Sequence, residues 1–212
     1  MKVLILTKTE YRKFIVDVVS PYSVQDDKYV WNVTIVDETM SFIPLDYDIG
    51  ISFMWTKKVP ARHVNTHTWI NFHPGPLPEY KGRNLCYHAI MNMETEFGAT
   101  IHYMDEGFDT GDIIDVIKFP VKDYYTAGDV SLSAIQCSKT LFELYFPRII
   151  AGEEFERLPN VGVGYYGKGA IPDTLEIRAD YGIGQFVRAV TCGDFYPKLN
   201  IGGLNYKIVR DE

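Results

Sequence analysis

Residues 71–83 read Asn-Phe-His-Pro-Gly-Pro-Leu-Pro-Glu-Tyr-Lys-Gly-Arg, and residues 107–114 read Gly-Phe-Asp-Thr-Gly-Asp-Ile-Ile. The first segment puts an amide, Asn71, and an imidazole, His73, at the end of the apolar run 66–72. Residues i and i+2 of a strand point to the same face. Pro74, Pro76 and Pro78 stiffen the loop that follows. The second segment puts a carboxylate, Asp109, on a turn flanked by Gly107 and Gly111. An amide stabilises an oxyanion, an imidazole moves a proton, and a carboxylate orients and charges the imidazole. Converging on one pocket, the three are equipment for acyl transfer. A plain turn or helix-cap role is the alternative for Asp109. His102, on the preceding strand, is open between a core and a catalytic role. His63, His67 and His88 carry no pattern. The histidines and acids lack metal-ligand spacing, so no metal is expected.

The elements that position these groups follow from periodicity. Residues 3–6 form a short apolar strand. Residues 10–19 have helical spacing, with Tyr11, Phe14, Ile15 and Val18 on one side and Ser20-Pro21 as the stop. Strands are expected at 33–36, at 48–54 and at 68–72, the last leading into Asn71 and His73. A helical run covers 84–93. Two strands, 99–103 and 113–119, bracket Asp109 and pair antiparallel or mixed. Residues 127–150 are the longest helical pattern. This alternation predicts right-handed crossovers and an α/β fold, a Rossmann-like, mainly parallel sheet with flanking helices. Such open sheets hold ligands at the carboxyl ends of their strands, where Asn71 and His73 fall.

After Gly152 the texture turns to Gly, Tyr and short apolar pieces. That predicts a small C-terminal β-rich extension, with a hairpin across Gly202-Gly203. The expected division is residues 1–152 and residues 153–212. Gly162-x-Gly164-x-x-Gly167 matches a dinucleotide-binding string, but no helix-forming run follows, so it reads as a Gly-rich loop.

With 212 residues, 46% hydrophobic and 23% charged, the chain can bury one ordinary core plus a small appendage. A net charge of -7 argues against nucleic acid or an anionic membrane as the main partner. Cys86, Cys137 and Cys192 are scattered, which suits free thiols in a reducing cytosol. Asn32-Val-Thr34 fits a glycosylation pattern, but residues 1–6 read as a first core strand rather than a signal. No run approaches the ~18 apolar residues of a membrane span.

These segments resemble the folate-dependent formyltransferase family. The likeness rests on 48–55, on 71–74 with 77–82, on 98–102 and on 104–114. It is strong over roughly residues 45–120 and only a matter of pattern before them. It implies that Asn71, His73 and Asp109 are the catalytic set. It also implies 10-formyl-tetrahydrofolate as co-substrate, held largely by main-chain groups at Phe53, Met54 and Trp55 and in the loop carrying Asp105 and Gly107. Two departures, Gly75-Pro-Leu-Pro78 for the usual Ser-Leu-Leu-Pro and Lys81-Gly82 for Arg-Gly, fall on the acceptor side.

The tail, with 185–191, 195–197 and the Gly202-Gly203 hairpin, resembles the short extension of sugar N-formyltransferases. Those act on the amine of nucleotide-linked amino-deoxy sugars for bacterial surface glycans, for example dTDP-4-amino-4,6-dideoxyglucose. It reads as too short for the tRNA-binding domain of methionyl-tRNA formyltransferases, and the charge is wrong for tRNA. Lys57, Tyr80, Lys81 and Arg83, with Lys58, are the expected acceptor contacts, the cations meeting a pyrophosphate. Tyr165, Tyr166, Phe195 and Tyr196 either stack on a base or form the tail's own core. The runner-up is glycinamide ribonucleotide formyltransferase, whose first loop is usually Gly-rich, whereas residues 7–12 hold no glycine. A formyl-folate hydrolase usually carries a further N-terminal domain. A catalytically inactive folate-binding sensor is the alternative of another class; the intact catalytic set argues against it. The expected partners are small molecules, not nucleic acid or membrane, in a cytoplasmic homodimer.

Overall fold

The computed structural model describes residues 1–23, 32–40, 42–162, 164–167, 174–176, 183–189, 198–201 and 204–207. The first half of the chain runs β1 (Lys2–Thr7), α1 (Thr9–Ser23), β2 (Asn32–Asp37), β3 (Ile49–Phe53), α2 (Ala61–Val64) and β4 (Thr68–His73). Then come β5 (Lys81–Gly82), α3 (Leu85–Met91), β6 (Glu96–Tyr103), β7 (Ile113–Pro120) and α4 (Ala127–Ile150). The rest holds β8 (Tyr165–Tyr166), β9 (Thr174–Glu176), α5 (Ile183–Ala189), β10 (Lys198–Ile201) and β11 (Leu204–Lys207).

Six strands form one sheet in the order β2-β1-β3-β4-β6-β7. The first four are parallel. β6 and β7 join antiparallel. This is the expected Rossmann-like architecture with an antiparallel edge. β4 lies at the junction of the two regimes, between β3 and β6. Its alternation splits its side chains. Ile70 and Phe72 go to the core with Phe142 and Phe146 of α4 and Ile15 of α1. Trp69 goes to the other face, with Leu4, Leu6, Tyr47 and Val59. Asn71 and His73 share the Trp69 face by the two-residue period.

The long helix α4 begins and ends where its residues demand. Thr126 Oγ1 accepts from the Asp129 amide at 3.1 Å, and Asp129 Oδ2 accepts from the Thr126 amide at 2.8 Å. That reciprocal capping satisfies two donors the helix start would leave open. Gly152 follows the end with φ +77°, the left-handed conformation that glycine adopts without steric cost. Pro21 does not stop α1, which runs on to Ser23. Proline removes the amide that would reach the Asp17 carbonyl, and the Ser20 hydroxyl donates to that carbonyl instead, at 3.4 Å.

Beyond α4, β8 pairs parallel with β5. β9, β10 and β11 form a small three-stranded sheet in the order β11-β10-β9. β10 and β11 are antiparallel, as the hairpin expectation requires; the turn residues Gly202 and Gly203 lie outside the described residues. Gln185 of α5 donates to the Ile90 and Met91 carbonyls, closing the end of α3. Among the described residues no helix is long and apolar enough to cross a membrane.

Candidate active site

The catalytic expectation brings together three residues from distant segments, and the fold does place them together. His73 is buried, only 4% exposed. Its Nε2 lies 2.7 Å from the Tyr80 carbonyl oxygen. A carbonyl only accepts, so Nε2 carries a hydrogen and Nδ1 is the atom left for proton exchange. Nδ1 faces Asp109 Oδ1 at 3.5 Å. The second carboxylate oxygen of Asp109 accepts from the Gly82 amide at 2.9 Å. Asp109 itself takes φ 56°, a left-handed conformation that Asp tolerates better than most residues.

Asn71 sits directly opposite His102 in the β4–β6 register. Its Nδ2 lies 3.0 Å from His102 Nε2. His102 Nδ1 in turn donates to the Tyr103 carbonyl at 2.6 Å. His102 thus sits beside Asn71 at the edge of the cleft. Burial pushes its pKa below the ordinary histidine value, against the opposing pull of Asp109. A neutral ring with hydrogen on Nδ1 leaves Nε2 as an acceptor, which fixes the Asn71 amide with nitrogen toward His102. Thr100, opposite His73, is fully buried. Its hydroxyl donates to the Gly75 carbonyl at 2.7 Å and accepts from the Leu77 amide at 3.0 Å. That hydroxyl ties down the proline loop behind His73. Thr100 and His102 are legible only as a pair, through the two-residue period of β6 once β6 is set antiparallel to β4.

These groups line a cleft of about 760 Å³. Residues after β1, β3 and β4 border it, Lys8, Met54–Val59 and Asn71–Pro74 among them, together with the loop carrying Met104, Asp105, Gly107, Phe108 and Asp109. Asp105 Oδ1 accepts from the Gly107 amide at 2.9 Å and from the Thr110 hydroxyl at 2.6 Å, so it shapes the loop that delivers Asp109. A Cβ on Gly107 would lie 2.0 Å from Thr110 Oγ1. A side chain there would displace the Thr110 hydroxyl from its place in the turn.

The other expected contacts divide. Met54, Trp55, Asp105, Gly107, Lys57, Lys58, Arg83 and Tyr165 border the cleft. The Phe53 side chain does not, being fully buried against Phe14, Phe72 and Phe142; the contact expected at this position is a main-chain one. Tyr80 and Lys81 are not acceptor contacts in this geometry either. Tyr80 is 4% exposed, stacks on Tyr166 and donates its hydroxyl to Glu94. Lys81 is 6% exposed and turns its ammonium to the Asn160 and Gly162 carbonyls. The pairing of β5 with β8 sets that direction, placing one side of the 80–82 segment inside. Phe195 and Tyr196 lie outside the described residues.

Residues 44–142 match the formyl transferase family. That stretch is similar to a formyl transferase domain. It contains Asn71, His73, His102 and Asp109, the whole polar floor of the cleft. Among curated relatives, a methionyl-tRNA formyltransferase of Listeria monocytogenes is 30% identical over 118 residues, 55% of this chain and 38% of that protein. GDP-perosamine N-formyltransferase of Brucella melitensis is 30% identical over 173 residues, 77% of this chain and 64% of that protein. The chain therefore spans from about a third to about two thirds of the length of these relatives. Among solved structures, a 4-N formyltransferase from Francisella tularensis superposes with TM-score 0.78 at 23% identity, covering 99% of this chain and 97% of that one. An N-formyltransferase from Helicobacter canadensis, in complex with folinic acid and dTDP-3-aminofucose, gives TM-score 0.70 at 21% identity, covering 90% and 79%. The two structures share the fold of this chain.

Proposed function

We propose that this chain transfers a formyl group from 10-formyl-tetrahydrofolate to the amine of a nucleotide-linked amino-deoxy sugar in the cytoplasm. The product would be an N-formylated sugar for surface glycans. The observation that carries this reading is the floor of the cleft. An amide, an imidazole and a carboxylate converge there within hydrogen-bonding or near-contact distance, below a rim of cations and an aromatic ring. The relatives support the same direction: the Brucella enzyme is named for GDP-perosamine, and the Helicobacter structure holds a folate and a dTDP-amino sugar.

The residues present fit a reduced folate. Met54, Trp55, Met104 and Phe108 offer apolar and aromatic surface beside the floor. Met54 holds φ 56°, which turns the chain out of β3 and exposes main-chain groups of the kind that could pair with a heterocycle. The cleft volume is that of a site for a molecule of this size. When bound, the folate supplies the formyl carbon.

The chain's own residues then have separable tasks. One N–H of Asn71 is held by His102, which leaves the other for the oxygen that gains charge as the amine adds to the formyl carbon. His73 takes a proton from the attacking amine at Nδ1, because Nε2 is committed to Tyr80. It returns that proton from Nδ1 to the folate nitrogen as the bond between that nitrogen and the formyl carbon breaks, releasing tetrahydrofolate and leaving the formyl group on the sugar amine. Asp109 lies beside Nδ1 and stabilises positive charge as it develops on the ring. Lys57, Lys58, Arg83 and Lys8 stand where a diphosphate could lie, and Tyr165 where a base could stack. A dTDP-4-amino-4,6-dideoxyglucose is one acceptor of this class.

The test offers dTDP-, UDP- and GDP-linked amino sugars and glycinamide ribonucleotide side by side with the same donor, following tetrahydrofolate release and the mass of the acceptor. Fastest formylation of a nucleotide sugar is the expected result. Faster formylation of glycinamide ribonucleotide would replace this reading.

A further inference from the structure

We propose that Asn160 is a positioning residue for Asp109, acting from the segment that follows α4. This inference rests on the formyl-transfer reading of the floor. Asn160 lies 51 residues beyond Asp109, yet its Nδ2 donates to the Asp109 carbonyl at 2.9 Å and to the Gly111 carbonyl at 2.8 Å. Both hydrogens of the amide are thus used on the backbone of one turn. The orientation is forced, because a flipped amide would set Oδ1 against two carbonyl oxygens. Oδ1 is buried, with no hydrogen-bond partner among the described residues.

The segment around Asn160 is itself laced to both loops of the site. Leu158 exchanges two backbone hydrogen bonds with Ile113, where the Asp109 loop enters β7, each 2.9 Å long. Lys81 donates to the Asn160 and Gly162 carbonyls, each at 3.3 Å. The Lys81 amide donates to the Gly164 carbonyl at 2.7 Å, and the Arg83 amide to the Tyr166 carbonyl at 2.9 Å. At Gly164 the approach is so close that a Cβ would lie 1.5 Å from the Glu79 carbonyl oxygen. The strap therefore bridges the turn that carries Asp109 and the stretch that contains the Tyr80 carbonyl, the partner of His73 Nε2. The left-handed backbone at Asp109 is a conformation the surrounding structure must hold in place. Asn160 holds its carbonyl, and Gly82 holds its carboxylate. Releasing Asn160 frees the carboxylate to drift from His73 Nδ1, and a shift of this kind near the reacting atoms costs about 10- to 100-fold in rate.

The experiment compares wild type with Asn160→Leu, which keeps the side-chain size and removes both donors without adding charge. Steady-state formyl transfer with a nucleotide amino sugar, its pH profile, and nitrogen NMR of the His73 ring are read together. The expected result is a folded variant whose kcat falls about 10- to 100-fold while both KM values stay within about threefold. Its pH profile is displaced, and the His73 ring signals are moved from their wild-type positions. A folded variant with wild-type kcat, pH profile and ring signals overturns the proposal, as does a lower melting temperature with unchanged kcat. A raised acceptor KM at unchanged kcat also overturns it, since the segment would then serve binding. Where Asn160→Leu does not fold, Lys81→Met loosens the same segment and is read by the same criteria. The NMR arm needs no turnover. If wild type formylates none of the acceptors, the function reading fails, while a moved His73 ring signal in the variant still reports the coupling.

Discussion

The floor and the rim of the cleft are held in different ways. At the floor, each polar group that faces the cleft is fixed by a partner behind it: Asn71 by His102, His73 by the Tyr80 carbonyl, Asp109 by the Gly82 amide. At the rim, the cations are exposed and lightly tethered. Lys57 donates to the Glu38 carbonyl at 3.1 Å, Arg83 to the Thr56 carbonyl at 3.1 Å, and Lys58 lies over the Phe108 ring. Ordering such a side chain on a ligand costs up to about 2 kcal/mol of rotamer entropy. The floor has already met that cost in folding. On the proposed function, chemistry is thus preorganised and acceptor recognition is left adaptable.

The largest effects are expected at the floor. Asn71→Ala and Asp109→Asn should each lower kcat about 100-fold or more, with the fold intact by circular dichroism. Asparagine suits the left-handed backbone at position 109, so that variant tests charge rather than conformation. Wild-type turnover in either would break the comparison. One step back, His102→Leu removes the acceptor that orients Asn71. A fall in kcat of about tenfold with little change in acceptor KM is expected, and a rise in KM alone would move His102 from the floor to the rim. At the rim, Arg83→Ala should raise the acceptor KM several-fold with kcat nearly unchanged, since a phosphate contact is made in ground and transition states alike. Competition by the free nucleoside diphosphate should weaken in parallel.

How far these features were legible in the residues differs in the same way. The floor could be read because strand alternation makes Asn71 and His73 neighbours in space, and because Gly107 and Gly111 announce a turn at Asp109. The extent of α4 could be read from the helical pattern over 127–150 and from Gly152. Lys81 could not. A lysine beside a Gly-Arg pair suits a phosphate contact, and only the pairing of β5 with β8, about 80 residues later in the chain, turns it inward. The Tyr80 carbonyl, which fixes the His73 tautomer, leaves no mark on side-chain pattern at all. Asn160 is equally silent, as a single amide in a Gly-rich stretch whose partners are main-chain oxygens.

The smallest effect separates stability from both regions. Burial pushes the His88 pKa down to about 4, and those of His63 and His102 downward as well. The folded protein keeps these rings neutral, while the unfolded chain takes up protons below about 6.5. The contribution of His88 is therefore fully present above about pH 6.5 and is lost as pH falls toward 4, by up to about 1.4 kcal/mol per pH unit. His88 stacks on Tyr166 and does not border the cleft. His88→Phe should flatten the fall of unfolding free energy in acid and leave turnover alone. An unchanged slope would show that His88 is not among the groups that titrate on unfolding.

The most direct test of the division between floor and rim is steady-state formyl transfer by wild type, His73→Ala and Arg83→Ala side by side. Each is given 10-formyl-tetrahydrofolate and a nucleotide amino sugar, with nucleotide affinity measured separately by calorimetry. The predicted result is a loss of kcat of about 100-fold or more in His73→Ala with nucleotide affinity retained, and the reverse pattern in Arg83→Ala. A folded His73→Ala protein that turns over like wild type would contradict the account.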